Sequence, residues 1–209
     1  LVVRNGAKLL GYRLFAPRSF GRADYQDRFT LVIEEGGAVM DLEGVSRSVG
    51  NGTLPLSGIS IEPNDYFEGP GKLILTNSSV AAAKYTLYRG THTRFTGVFE
   101  VPGDYLASGS SAVFALPNGE LRLGDAAVAD FTGVITYCAF GALTGSGRFG
   151  GYGDQGRPPF LIGDDRAGIF EFSGTLFAWF SGAGWGNKPG TGCRFIKTGG
   201  STWRISGAT

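Results

Sequence analysis

Glycine is the residue that most constrains this chain: 36 of its 209 residues are Gly, and 18 of those fall in the 69 residues of 141–209. Each interior Gly costs a helix about 1 kcal/mol relative to Ala, and no stretch of the last third longer than seven residues is free of them. The glycines follow no three-residue period and proline is scarce, which excludes a collagen-type chain. What remains is β structure. Hydrophobic residues make up 42% of the sequence, with 27 aromatic rings, too apolar for a disordered chain and enough to fill a core without staples.

Strand-like alternation, punctuated by turn residues, recurs about every 8–12 residues, the spacing of an all-β sandwich or barrel. The segments are Leu9–Phe15, Phe29–Glu34, Ala38–Leu42, Ile59–Glu62, Lys72–Thr76, Tyr85–Tyr88, Arg94–Val101, Val113–Leu116, Glu120–Leu123, Phe131–Tyr137, Ile169–Phe172, Leu176–Phe180, Cys193–Ile196 and Trp203–Ile205. Glu35-Gly36-Gly37 and Pro117-Asn118-Gly119 read as hairpin turns, the second being the strongest such signal. Ser79–Lys84 is the one short helix candidate. Phe95-Thr96-Gly97-Val98, Phe131-Thr132-Gly133-Val134 and Phe172-Ser173-Gly174-Thr175 echo one another at spacings of 36 and 41. Such an echo fits a repeated unit, or simply inward rings set beside bends. The expectation is a single β-domain over 1–209 with a Gly- and aromatic-rich last third, 141–209. Its expected fold is an antiparallel jelly-roll-type sandwich, with a closed antiparallel β-barrel as the alternative.

Chemistry is sparse. The single histidine, His92, lies between two threonines, and no short Cys/His spacing suggests a metal site. Gly145-Ser146-Gly147-Arg148-Phe149-Gly150 has the G-x-G-x-x-G spacing, but no helix follows to face a phosphate, so a nucleotide loop is rejected. Asp154, Asp164 and Asp165 share one loop-rich region and read as turn aspartates rather than a calcium loop. Asn51-Gly52-Thr53 and Asn77-Ser78-Ser79 match the glycosylation sequon. Neither a catalytic residue, a metal nor a cofactor is assigned, and the reading leans away from an enzyme.

Thr144-Gly145-Ser146-Gly147-Arg148-Phe149-Gly150-Gly151-Tyr152-Gly153 resembles the T-G-G-T-G-R-F-x-G-x-x-G run of dirigent and allene-oxide-cyclase-type β-barrels. That resemblance implies an antiparallel barrel whose apolar cavity binds or cyclises a small hydrophobic molecule.

Formal net charge is +1 and no basic tail is present, so no strong nucleic-acid footprint is expected. Residues 1–28 are locally basic: Arg4, Lys8, Arg13, Arg18, Arg22 and Arg28 stand against Asp24 and Asp27. They read as outward strand residues paired with acidic neighbours, or as an arm touching an anionic surface or a partner subunit. No apolar run approaches the length of a membrane helix. The chain starts Leu-Val-Val, as expected where a leader has been removed before Leu1 or the chain is a trimmed piece.

Ligand or interface candidates are Trp185, Trp179, Tyr152, Arg148 and Phe180. Trp185 stands between Gly184 and Gly186, where neighbours give an indole little packing support. Cys138 and Cys193 are a possible disulfide pair, although Cys138 sits in an apolar run that also suits a buried thiol.

Three functions fit. The leading one is a non-enzymatic structural or assembly subunit, such as a virion capsid or extracellular surface protein, partnered by copies of itself or other assembly subunits. The others are a barrel binding or cyclising a small apolar ligand, and a carbohydrate-binding module using Trp185 and Tyr152.

Overall fold

A computed structural model describes residues 2–11, 30–41, 60–61, 66–75, 84–87, 90–91, 93–103, 105–108, 112–131, 134–152, 159–179 and 194–207. These residues are mostly strand, and none is helical. The early strands are β1 (Val2–Val3), β2 (Lys8–Gly11), β3 (Thr30–Ile33), β4 (Ala38–Asp41), β5 (Ser60–Ile61), β6 (Tyr66–Glu68) and β7 (Lys72–Leu75). Next come β8 (Lys84–Leu87), β9 (Gly90–Thr91), β10 (Val98–Val101), β11 (Tyr105–Ser108), β12 (Ala112–Leu123), β13 (Val128–Asp130) and β14 (Val134–Gly145). The last are β15 (Arg148–Tyr152), β16 (Phe160–Ile162), β17 (Ile169–Phe172), β18 (Thr175–Trp179), β19 (Phe195–Lys197) and β20 (Thr202–Ile205).

Every pairing between these strands is parallel, and no strand pairs with its immediate neighbour along the chain. The chain thus visits three faces in rotation and climbs one strand spacing per circuit. Face I holds β1, β3, β6, β9, the first half of β12, the first half of β14, β16 and β19. Face II holds β2, β4, β7, β10, the second halves of β12 and β14, β17 and β20. Face III holds β5, β8, β11, β13, β15 and β18. This is a parallel β-helix, a solenoid in which each rung touches only its neighbours.

The antiparallel jelly roll and the antiparallel barrel are both overturned by this pairing. The strand segments themselves are readable in the sequence, but their partners are not, because a three-sided rung and a sandwich place a strand at the same 8–12-residue interval. Ordinary parallel sheets are covered on both faces and read as continuous apolar runs; a solenoid leaves its outer faces to solvent and so alternates like an antiparallel sheet. Both hairpins dissolve for a related reason. Glu34–Gly37 is a corner that carries the chain from β3 on face I to β4 on face II. Pro117-Asn118-Gly119 lies inside β12, where the chain bends from face I to face II and the register to β14 shifts between Leu116 and Glu120.

The lumen is filled by inward side chains stacked rung on rung. On face II the column Leu73, Phe99, Leu121 and Leu143 is fully buried. Phe131, Phe140, Phe149 and Phe160 meet with ring centroids 5.0–6.2 Å apart, mostly edge to face, the arrangement the aromatic quadrupole favours. Phe160 stacks on Phe195, one rung further on, at 5.4 Å. Cys138 sits in register between Phe114 and Phe160, buried and free. Cys193, the other half of the possible disulfide, lies outside the described residues.

Glycine forms a ladder at the corner between faces I and II. Gly37, Gly71, Gly97, Gly119 and Gly141 each immediately precede the residue that opens the face II strand segment. At Gly97 a Cβ would collide with the carbonyl oxygen of Gly71 on the rung below, so rungs can close up here only without a side chain. The three aromatic-Gly echoes sit on three different corners. Phe95 precedes the turn onto face II, Phe131 the turn onto face I, and Phe172 the turn onto face III. All three rings are buried, but their spacings of 36 and 41 are not the rung period. That period is carried by Lys8, Ala38, Lys72, Val98, Glu120 and Ala142, with steps of 30, 34, 26, 22 and 22 residues.

Candidate functional site

The outer side of face II carries a line of ionisable groups in contact across rungs. Because strands alternate inward and outward and rungs are in register, outward residues of successive rungs stand directly beside one another, one strand spacing apart. Lys72 Nζ lies 3.1 Å from Glu100, Glu100 lies 3.8 Å from Arg122, and Arg122 lies 2.8 Å from Glu120 through Nη2, with Nε donating to the same carboxylate at 2.8 Å. The hydroxyl of Thr144 donates to Glu120 at 2.6 Å. Two rungs on, Arg204 and Glu171 pair at 3.6 Å. Glu120 is the buried member of this line, and three donor groups converge on one of its oxygens.

Toward the N-terminal rungs the same face becomes a groove of about 420 Å³. It is lined by Lys8, Gly36, Gly37, Ala38, Pro70, Gly71, Lys72, Ile74 and Val98. Lys8, Ala38 and Lys72 occupy one register position on β2, β4 and β7, so the two lysines stand two strand spacings apart, about 10 Å. The groove crosses four rungs, from Lys8 to Val98.

A second cluster sits where β16 turns into β17. The Asp164 carboxylate accepts the backbone N–H of Arg166 at 2.9 Å, an Asx-type turn, and the Arg166 Nε at 2.5 Å. Arg166 also lies over the Phe170 ring, 5.1 Å from its centroid. The Asp164 carbonyl accepts from Ser201 N at 3.0 Å, and the Asp165 carboxylate from Gly200 N at 3.2 Å. Together these bonds pin one corner to the next rung.

Among the residues expected to carry function, Arg148 is exposed on β15 with its guanidinium 5.4 Å from the centroid of the buried Phe177 ring. Tyr152 and Trp179 are register partners on β15 and β18. Trp185, Phe180, His92, Asp154 and both sequon asparagines lie outside the described residues, as do most of Ser79–Lys84 and the arginines at 13, 18, 22 and 28. Among the described residues no group of three His, Cys, Asp or Glu side chains could hold a metal ion, and no helix is long and apolar enough to cross a membrane. Burial pushes the Cys138 thiol well above its ordinary value, which suits an inert packing role rather than a nucleophile.

In the sequence Lys8 stands out as part of a basic stretch, whereas Lys72, Glu100, Glu120 and Arg122 carry no local signal. They lie 20 or more residues apart or two apart on one strand, and only the rung register brings them into one line. No family model, curated protein or solved structure matches the chain.

Proposed function

We propose that this chain is a non-enzymatic structural subunit, a stiff β-helical module of an assembly such as a virion or extracellular surface. The observation that carries the reading is the ladder Lys72–Glu100–Arg122–Glu120–Thr144. Its charged groups are engaged with groups on their own or the adjacent rung, so the polar chemistry of this face holds rungs together instead of standing ready as an acid, base or nucleophile. A solid lumen supports the same reading, because the barrel cavity that a small apolar ligand would enter has no counterpart among the stacked rings of Phe131, Phe140, Phe149 and Phe160. Parallel in-register rungs also present an extended surface suited to packing against other subunits.

Light scattering across a concentration series tests the proposal. Reversible growth in mass with concentration is the expected result; a strict monomer at the highest attainable concentration overturns it.

A further inference from the structure

We propose that the groove between Lys8 and Lys72 binds a linear acidic glycan, a sugar chain carrying carboxylates about 10 Å apart. The groove shares Lys72 with the ionic ladder but does not depend on the chain being an assembly subunit. Its volume of about 420 Å³ lies within the range of ligand sites. The only ionisable side chains among its described lining residues are the two lysines. Lys72 shares its charge with Glu100 at 3.1 Å. Lys8 is exposed, so its ammonium is within reach of a ligand carboxylate.

Gly36, Gly37 and Gly71 line the groove and bring no side chains of their own to it. Ala38, Ile74 and Val98 add apolar relief on the strand side and Pro70 on the corner side. An extended ligand can therefore lie along the solenoid axis, across rungs, without meeting a ridge.

An acidic peptide fits less well. Peptides recognised by sheets draw their affinity from main-chain hydrogen bonds at an edge. This groove lies over the face of β2, β4 and β7, whose facing N–H and C=O groups are spent on the ladder between those strands. A sugar needs no main-chain partner there, since its C–H face rests on apolar side chains while its carboxylates reach the ammonium groups.

Titration calorimetry with an oligogalacturonate, its fully methyl-esterified counterpart and a peptide of alternating Glu and Ser tests the assignment. The oligogalacturonate should bind, more weakly as salt is added, and the ester and the peptide should not. Lys8→Gln should weaken binding about tenfold, the loss of one charge-assisted contact, while Lys8→Arg retains it. Ala38→Trp should block the groove. Circular dichroism and melting should be unchanged in the Lys8 variants, because Lys8 is exposed. Failure of the unsubstituted protein to bind the oligogalacturonate overturns the assignment, as does equal binding of the ester or the peptide. Full affinity in both Lys8→Gln and Ala38→Trp overturns it as well.

Discussion

The indole N–H of Trp203 donates to the main-chain carbonyl of Leu143 across 3.0 Å, spanning the rung that lies between them. β14 and β17 meet in register only at Gly145 and Phe172, and the Trp203 side chain reaches past that divergence to join β20 to β14. Trp203→Phe keeps most of the apolar area and deletes the donor. Stability should fall by about 1–2 kcal/mol, a drop in melting temperature of roughly 2–8 °C for a chain of this length. An unchanged melting curve would show that the bond contributes nothing.

Gly97 and Gly200 make a matched pair for the corner ladder. A methyl group at Gly97 would meet the backbone of Gly71, whereas one at Gly200 would find open space. Gly97→Ala should therefore cost about 2 kcal/mol or more through displaced rungs, while Gly200→Ala should stay within about 0.5 kcal/mol. Urea titration of both variants checks the contrast. Equal midpoints would remove the steric reason for the ladder.

Thr144 and Glu120 are joined at 2.6 Å on adjacent rungs, with Arg122 on the same carboxylate. Glu120→Ala should destabilise by roughly 1–3 kcal/mol, because a buried carboxylate's partners lose it together. In a double-mutant cycle with Thr144→Val the coupling should be of order 1 kcal/mol. A coupling near zero would mean the two groups merely sit side by side.

Burial raises the Cys138 thiol well above its ordinary value. A folded acid that ionises later than its unfolded form binds more protons in the native state, so stability is fully present below the unfolded thiol value of about 8.5 and declines as pH rises above it. Comparing the parent with Cys138→Ala by urea denaturation between neutral pH and about pH 10 isolates this contribution, since the other titrating groups are common to both. The parent should lose stability faster. A thiol reagent at neutral pH should leave Cys138 unmodified until the chain is unfolded.

Strand positions are legible in the sequence because inward residues such as Leu73, Phe99 and Leu121 alternate with outward Lys72, Glu100 and Arg122, and that local pattern needs no knowledge of partners. Strand direction is hidden, since a chain of short alternating segments says nothing about whether a segment's neighbour is the next one or one a full turn later. The recurring Gly before Ala38, Lys72, Val98, Glu120 and Ala142 is the signal that carries the answer. Its steps shrink from 34 to 22 residues, so a search for one fixed period passes over it and settles on the Phe95, Phe131 and Phe172 echo. The groove and the ionic line inherit the same difficulty, because both are made by register.

Unequal rung lengths have a consequence for how such a chain can change. Val98 and Glu120 stack directly on one another, each preceded by a ladder glycine. Excising residues 98–119 would splice Gly97 to Glu120 and leave every remaining column in step, shortening the stack by one strand spacing of about 4.8 Å. Whole turns are thus removable or duplicable units, and extra residues inserted at one corner alter only that corner. Length along the axis and decoration around it can vary separately, which lets a lineage tune reach without redesigning the surface that does the touching.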